Sequence, residues 1–140
     1  MEGVIQHHNM KENKVTLFTT FYSVDPAYSL CNVVEDQLKM FTMHGYKIDL
    51  LVDEELDEST LSGVWKHPNI TLKKFMKVDR SNEGILADNF QDQANQLYDQ
   101  LKELLKDTQV VIAHDIILQP AHIIHNIACR RVYIWHTPVC

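Results

Sequence analysis

Apolar positions along this chain follow two rhythms. Short, largely apolar runs at 15–21, 46–52, 70–76, 110–113 and 132–135 are rich in β-branched and aromatic residues. Such runs, closed by polar or Pro-containing turns, predict strands of a sheet covered on both faces. Between them the apolar residues recur at three- and four-residue steps. Leu30, Val33, Val34, Leu38 and Phe41 predict one amphipathic helix. Gly45 follows where a left-handed helix stop belongs. Leu86, Phe90, Ala94, Leu97, Leu101, Leu104 and Leu105 predict a longer helix, with Asp88, Gln91, Asp92, Asp99 and Lys102 on its outer face. Pro120 suits the first turn of a short helix over 120–130, because its missing N–H costs nothing there. Lys73 and Lys74 interrupt the third run, which places that strand at a sheet edge.

Strands alternating with helices imply an α/β fold with a doubly wound, mostly parallel sheet, helices on both faces and strand order 3-2-1-4-5. In such sheets ligands bind beyond the carboxyl ends of the strands, where the order reverses, here between strands one and four. The loop holding Ser23 and Tyr28 would flank that point, with His114 and Asp115 opposite. His136 would stand one strand further out. The expectation is a small-molecule site on a single rim.

The chain has 140 residues, which suits one domain over 15–140 behind a polar, flexible leader at 1–14. The formal net charge is −6 and the basic residues are scattered, so nucleic acid is not an expected partner. No apolar run is long enough to cross a bilayer. Cys31, Cys129 and Cys140 show no C-x-x-C spacing, which fits free thiols in a reducing, cytoplasmic setting. A half-sheet that leaves apolar surface uncovered favours self-association.

His114, Asp115 and His136 are the leading chemical candidates, since a His at a strand end can exchange a proton near neutral pH and bind a hydroxyl or phosphate. The alternative is that they cap loops. Four histidines, His114, His122, His125 and His136, raise the question of a metal; no Glu or Cys stands at a recognisable ligand spacing, and no metal or cofactor is expected. The segment after strand one, 19–29, contains no glycine, which speaks against NAD, FAD or ATP sites of the usual kinds. Cys31 falls in a helix first turn, where a thiolate is favoured, yet most such cysteines simply pack. Phe21, Tyr22, Tyr28 and Trp135 could stack on a sugar face or pack at the rim.

Three segments carry a family resemblance: 29–52, a helix followed by His44-Gly45-Tyr46-Lys47-Ile48-Asp49-Leu50-Leu51-Val52; Val110-Val111-Ile112-Ala113-His114-Asp115; and Val132-Tyr133-Ile134-Trp135-His136-Thr137-Pro138. Together they resemble the N-terminal, Rossmann-like domain of GT-B glycosyltransferases. The nearest likeness is to the retaining family that includes the phosphatidylinositol mannosyltransferases and many bacterial and phage enzymes. The resemblance implies that His136 lies against the donor sugar and reaction centre. It also implies that His114 and Asp115 shape the acceptor side, with Ser23, Tyr28 and Thr137 as further substrate-binding residues. A nucleotide sugar would be the co-substrate and a sugar acceptor or other small molecule the partner. Ala27-Tyr28 stands where family members carry Gly-Gly. The resemblance implies a C-terminal donor-binding domain that is not expected within these residues, so the chain is expected to be inactive alone and to need that domain as a partner. A non-catalytic α/β module that binds a small ligand or a protein is the alternative, and a histidine-based metallohydrolase a third.

Overall fold

The computed structural model describes residues 13–81, 85–116 and 119–136. Strand β1, Lys14–Phe18, leads through a ten-residue connection to helix α1, Ser29–Met43, and then to β2, Lys47–Asp53. Two short 3₁₀ turns, Glu58–Thr60 and Gly63–Lys66, precede β3, Ile70–Phe75. Helix α2, Phe90–Leu104, is followed by β4, Val110–Ala113. A 3₁₀ turn, Pro120–His122, runs straight into helix α3, Ile123–His136. All strand pairs are parallel, in the order β3-β2-β1-β4. The fold is therefore α/β around a four-stranded parallel sheet, with β3 at an edge as Lys73 and Lys74 imply. Lys14, assigned to the leader from sequence, is instead the first residue of β1.

Strand alternation sorts the core. Val15, Leu17, Ile48, Leu50 and Val52 pack with Cys31, Val34 and Leu38 of α1. Phe18, Leu51 and Phe75 pack with Ala94, Leu97 and Leu101 of α2 and with Ile124, Ala128 and Val132 of α3. Val33, expected on the buried stripe of α1, is half exposed. The end of α1 is fixed by local chemistry. Gly45 adopts φ +78°, its N–H donates to the Thr42 carbonyl, and Tyr46 N–H donates to the Phe41 carbonyl at 3.0 Å. Phe41 and Tyr46 rings meet edge-on at 5.5 Å. This is the double hydrogen bond and apolar clasp of a glycine-terminated helix, and it sends the chain directly into β2.

One charge lies inside the sheet layer. Asp49 is 3% exposed, and Lys14 Nζ and Lys73 Nζ each stand 2.8 Å from its Oδ2. Among the described residues no donor is aligned on that oxygen as a hydrogen bond, so the contact is one of charge with charge.

The expected fifth strand is not observed. Residues 132–135 belong to the last turns of α3, so the order ends at strand four. The reason lies in a longer rhythm that overrides the short apolar run. Ile124, Ala128 and Val132, at four-residue steps, are all buried against α2 and the sheet. Arg131 adds a guanidinium 4.4 Å from the Tyr98 ring centroid and a hydrogen bond to Asn95, both on α2. No glycine or proline stands between Pro120 and Pro138 to stop the helix. Among the described residues, no helix is long and apolar enough to cross a membrane.

Candidate functional site

The carboxyl ends of β1 and β4 are neighbours, because β1 pairs with β4 through Phe18 and Ala113. Past the strand ends the ladder continues: His114 N–H donates to the Phe18 carbonyl at 2.9 Å, and Thr19 N–H to the Leu51 carbonyl at 3.0 Å. The Thr19 hydroxyl donates to the same carbonyl at 2.8 Å and is fully buried. Thr19 is thus a structural anchor that leaves Thr20 as the first side chain free to face across the gap.

Asp115 then turns the chain with φ +58°, a left-handed conformation uncommon for a residue with a side chain. That conformation, held where a strand meets a loop, is a form of local strain found often at ligand sites. The Tyr28 hydroxyl donates to Asp115 Oδ2 at 3.0 Å, bridging the loop after β1 to the loop after β4. Burial, and then the Asp115 carboxylate, push the Tyr28 phenol above its ordinary value, so it is a hydrogen-bond donor throughout the physiological range. Tyr28 remains 45% exposed, and its ring meets Phe21 edge-on at 6.2 Å.

His114 sits beside this pair and faces elsewhere. Its Nε2–H donates to Gln37 Oε1 on α1 at 2.7 Å. Burial lowers its pKa and Asp115 opposes that only in part, so the ring is neutral near pH 7. On the other flank of β1, His122 Nε2 lies 3.4 Å from Thr20 Oγ1. Ser81 N–H donates to the Ala121 carbonyl at 3.1 Å, which pins the start of α3 to the connection after β3. Tyr28, Asp115, Thr20 and His122 therefore gather around the β1–β4 junction.

Other expected site residues lie apart. Ser23 is on a loop held to the β2 side: Val24 N–H donates to Thr60 Oγ1, and the Tyr22 carbonyl accepts from Asp57 N–H. His136, expected at the end of a fifth strand, is instead the last residue of α3. Its backbone is about 20 Å from that of Ile123, which begins the helix directly after His122. His136 therefore does not stand at a strand end beside His114, the position that a fifth strand would have given it. Thr137 lies outside the described residues.

Cys31 is buried in the first turn of α1, and burial raises its pKa, the opposite of an activated thiol. Among the described residues, no group of three or more His, Cys, Asp or Glu side chains is arranged to hold a metal ion. Sequence reasoning overlooked Thr20 and Gln37 and considered His122 only as a metal ligand. A signal for Thr20 was present, since a hydroxyl pair directly after an apolar strand reaches the carboxyl rim. Comparison with protein-family models, curated proteins and solved structures gives no match to the chain.

Proposed function

We propose that this chain is a doubly wound, Rossmann-like domain that binds a small polyhydroxylated ligand at the β1–β4 rim, as the acceptor-side part of a GT-B-type glycosyltransferase. The observation that carries the reading is the Tyr28–Asp115 hydrogen bond across the junction. It leaves, side by side, the remaining carboxylate lone pairs of Asp115 and the phenol oxygen of Tyr28, whose proton is committed to Asp115, as acceptors for the O–H donors of vicinal sugar hydroxyls. The Tyr28 ring itself is well exposed and suited to an apolar sugar face. Residues 19–29 contain no glycine, so close approach of a pyrophosphate to the backbone is disfavoured and a neutral hydroxylated group is preferred. Cys31 and Cys129 are free and buried, in keeping with a reducing, cytoplasmic setting.

A second reading, a ligand-binding module without catalysis, is favoured by one observation: residues 123–136 form a helix. The residue expected at the reaction centre, His136, thereby does not stand at a strand end.

Titrating the labelled protein with glucose, mannose and UDP-glucose, followed by backbone amide shifts, tests the binding. We expect shifts clustered at 20–28 and 114–116. Asp115→Asn should weaken binding about tenfold, the loss of one charge-assisted hydrogen bond. Shifts confined elsewhere, or none at millimolar sugar, would refute the rim. Turnover of UDP-glucose with a sugar acceptor would favour the transferase over the non-catalytic module.

A further inference from the structure

Behind the rim lies a pair of imidazoles that ligand binding leaves unexplained. His122 and His125, three residues apart at the start of α3, are both buried, His125 to 3% exposure. Their rings meet edge-on with centroids 5.1 Å apart, and the His125 ring meets Phe75 of β3 edge-on at 5.8 Å. Neither nitrogen of His125, nor Nδ1 of His122, has a hydrogen-bond partner among the described residues. The pair is where the start of α3 rests on the carboxyl end of the sheet, and His122, the last residue of the 3₁₀ turn that leads into α3, also faces Thr20 at the rim.

We infer that this pair is an acid-sensitive latch: both imidazoles must be neutral for α3 to stay seated, and protonating either one lifts the start of α3 and opens the rim. Each charge that acts on the rings is identifiable. Arg80, from the connection after β3, disfavours a proton on either ring. Asp115, from the end of β4, favours one on His122. A proton on His122 would in turn oppose one on His125. Among the described residues no other charge acts on them, β3 presenting the Phe75 ring and the loop after β1 the Thr20 hydroxyl. An imidazolium here would be desolvated beside a guanidinium, with one carboxylate in partial compensation on one ring only.

The sign follows from linkage. Burial, then His122, then Arg80 bring the His125 pKa down to about 3, and burial and Arg80 lower that of His122. A ring released to water returns to its ordinary value of 6.5. The seated state binds fewer protons, so seating is complete above that ordinary value and is lost progressively as pH falls below it. His125 alone reduces the seating equilibrium about twenty-five-fold between pH 7 and pH 5. His122 acts in the same direction.

That the latch regulates ligand access rests on the rim reading above; the seating of α3 does not, and the two are measured separately. Amide hydrogen exchange of the whole chain, corrected for the intrinsic pH dependence, should show α3 protection falling by at least that factor between pH 7 and pH 5 while α1 protection holds. In the double variant His122→Gln, His125→Leu, α3 protection should be independent of pH over this range. Imidazole NMR of the wild-type chain gives a second readout if the variant fails to fold: the His125 ring should take up no proton while α3 remains protected. Unchanged α3 protection at pH 5, or a His125 ring titrating near 6.5 with α3 still protected, would overturn the latch. Sugar titrations at the two pH values then report on access alone. A latch that opens with no sugar bound at either pH would leave α3 release standing and refute the rim.

Discussion

Removing the carboxylate of Asp49 is the most demanding test of the sheet's interior. Asp49 stands in register with Thr16 of β1 and Thr71 of β3, at the centre of the layer. Lys14 Nζ and Lys73 Nζ both lie 2.8 Å from the same oxygen, so the two ammoniums are within about twice that distance of one another. Asp49→Asn keeps the volume and deletes the charge. Two cations at that spacing repel by about 3 kcal/mol at an effective dielectric of about 20, and breaking a buried ionic contact by removing one partner typically costs about 3–5 kcal/mol. The Lys14 and Lys73 side chains retain 20% and 26% exposure, however, and can turn toward water. We therefore expect a loss of about 2 kcal/mol. With a urea m-value of about 2 kcal/mol/M for a domain of this size, the unfolding midpoint should fall by about 1 M at unchanged m. Adding Lys73→Met to Asp49→Asn should restore about half of the loss, because one of the two stranded cations is gone. A single Asp49→Asn variant within about 0.5 kcal/mol of wild type would refute the reasoning, since it would mean that the carboxylate holds neither lysine.

Gly45→Ala should cost about 1 kcal/mol in urea unfolding: a Cβ there meets nothing within 4 Å, so only the left-handed backbone opposes it. Gly45→Asn should cost less than Gly45→Ala, because Asn tolerates that conformation better. Neither Cys31 nor Cys129 should react with a thiol reagent in the folded protein. Burial raises both thiols, that of Cys129 to about 12, and labelling at either site by peptide mass mapping without denaturant would contradict their burial.

Much of the fold was readable because several signals agreed in each segment. β4 coincides with the apolar run 110–113, and α1 and β2 fall within two residues of their expected positions. Gly45 stopped α1 by the mechanism its position suggested. The misreading at 132–135 arose where two signals competed. A four-residue apolar run cannot be told from a buried helical segment by periodicity alone, and the burial that decides it depends on α2, nearly forty residues earlier. The site was half legible for a similar reason. Asp115 and Tyr28 could be placed at the same rim from strand order, but their hydrogen bond depends on the turn that Asp115 makes at φ +58°. The pairing of His114 with Gln37 depends on the rotation of α1 about its own axis, which a stripe of apolar residues fixes only coarsely. His122 and His125 drew notice for their spacing, while their burial against Phe75 arises from tertiary packing.

The Tyr28–Asp115 bond spans 87 residues and the Thr20–His122 contact 102. This separation has a kinetic corollary. A nascent chain can close β1, α1 and β2 early, since their ladder joins nearby segments, but one side of β1 stays bare until β4 has left the ribosome. Joining such remote segments is the slow, entropy-limited part of assembling a parallel sheet. The β1–β4 junction is thus assembled last, as a property of the completed molecule, and a chain interrupted before β4 would retain its first βαβ unit and lack half of that rim.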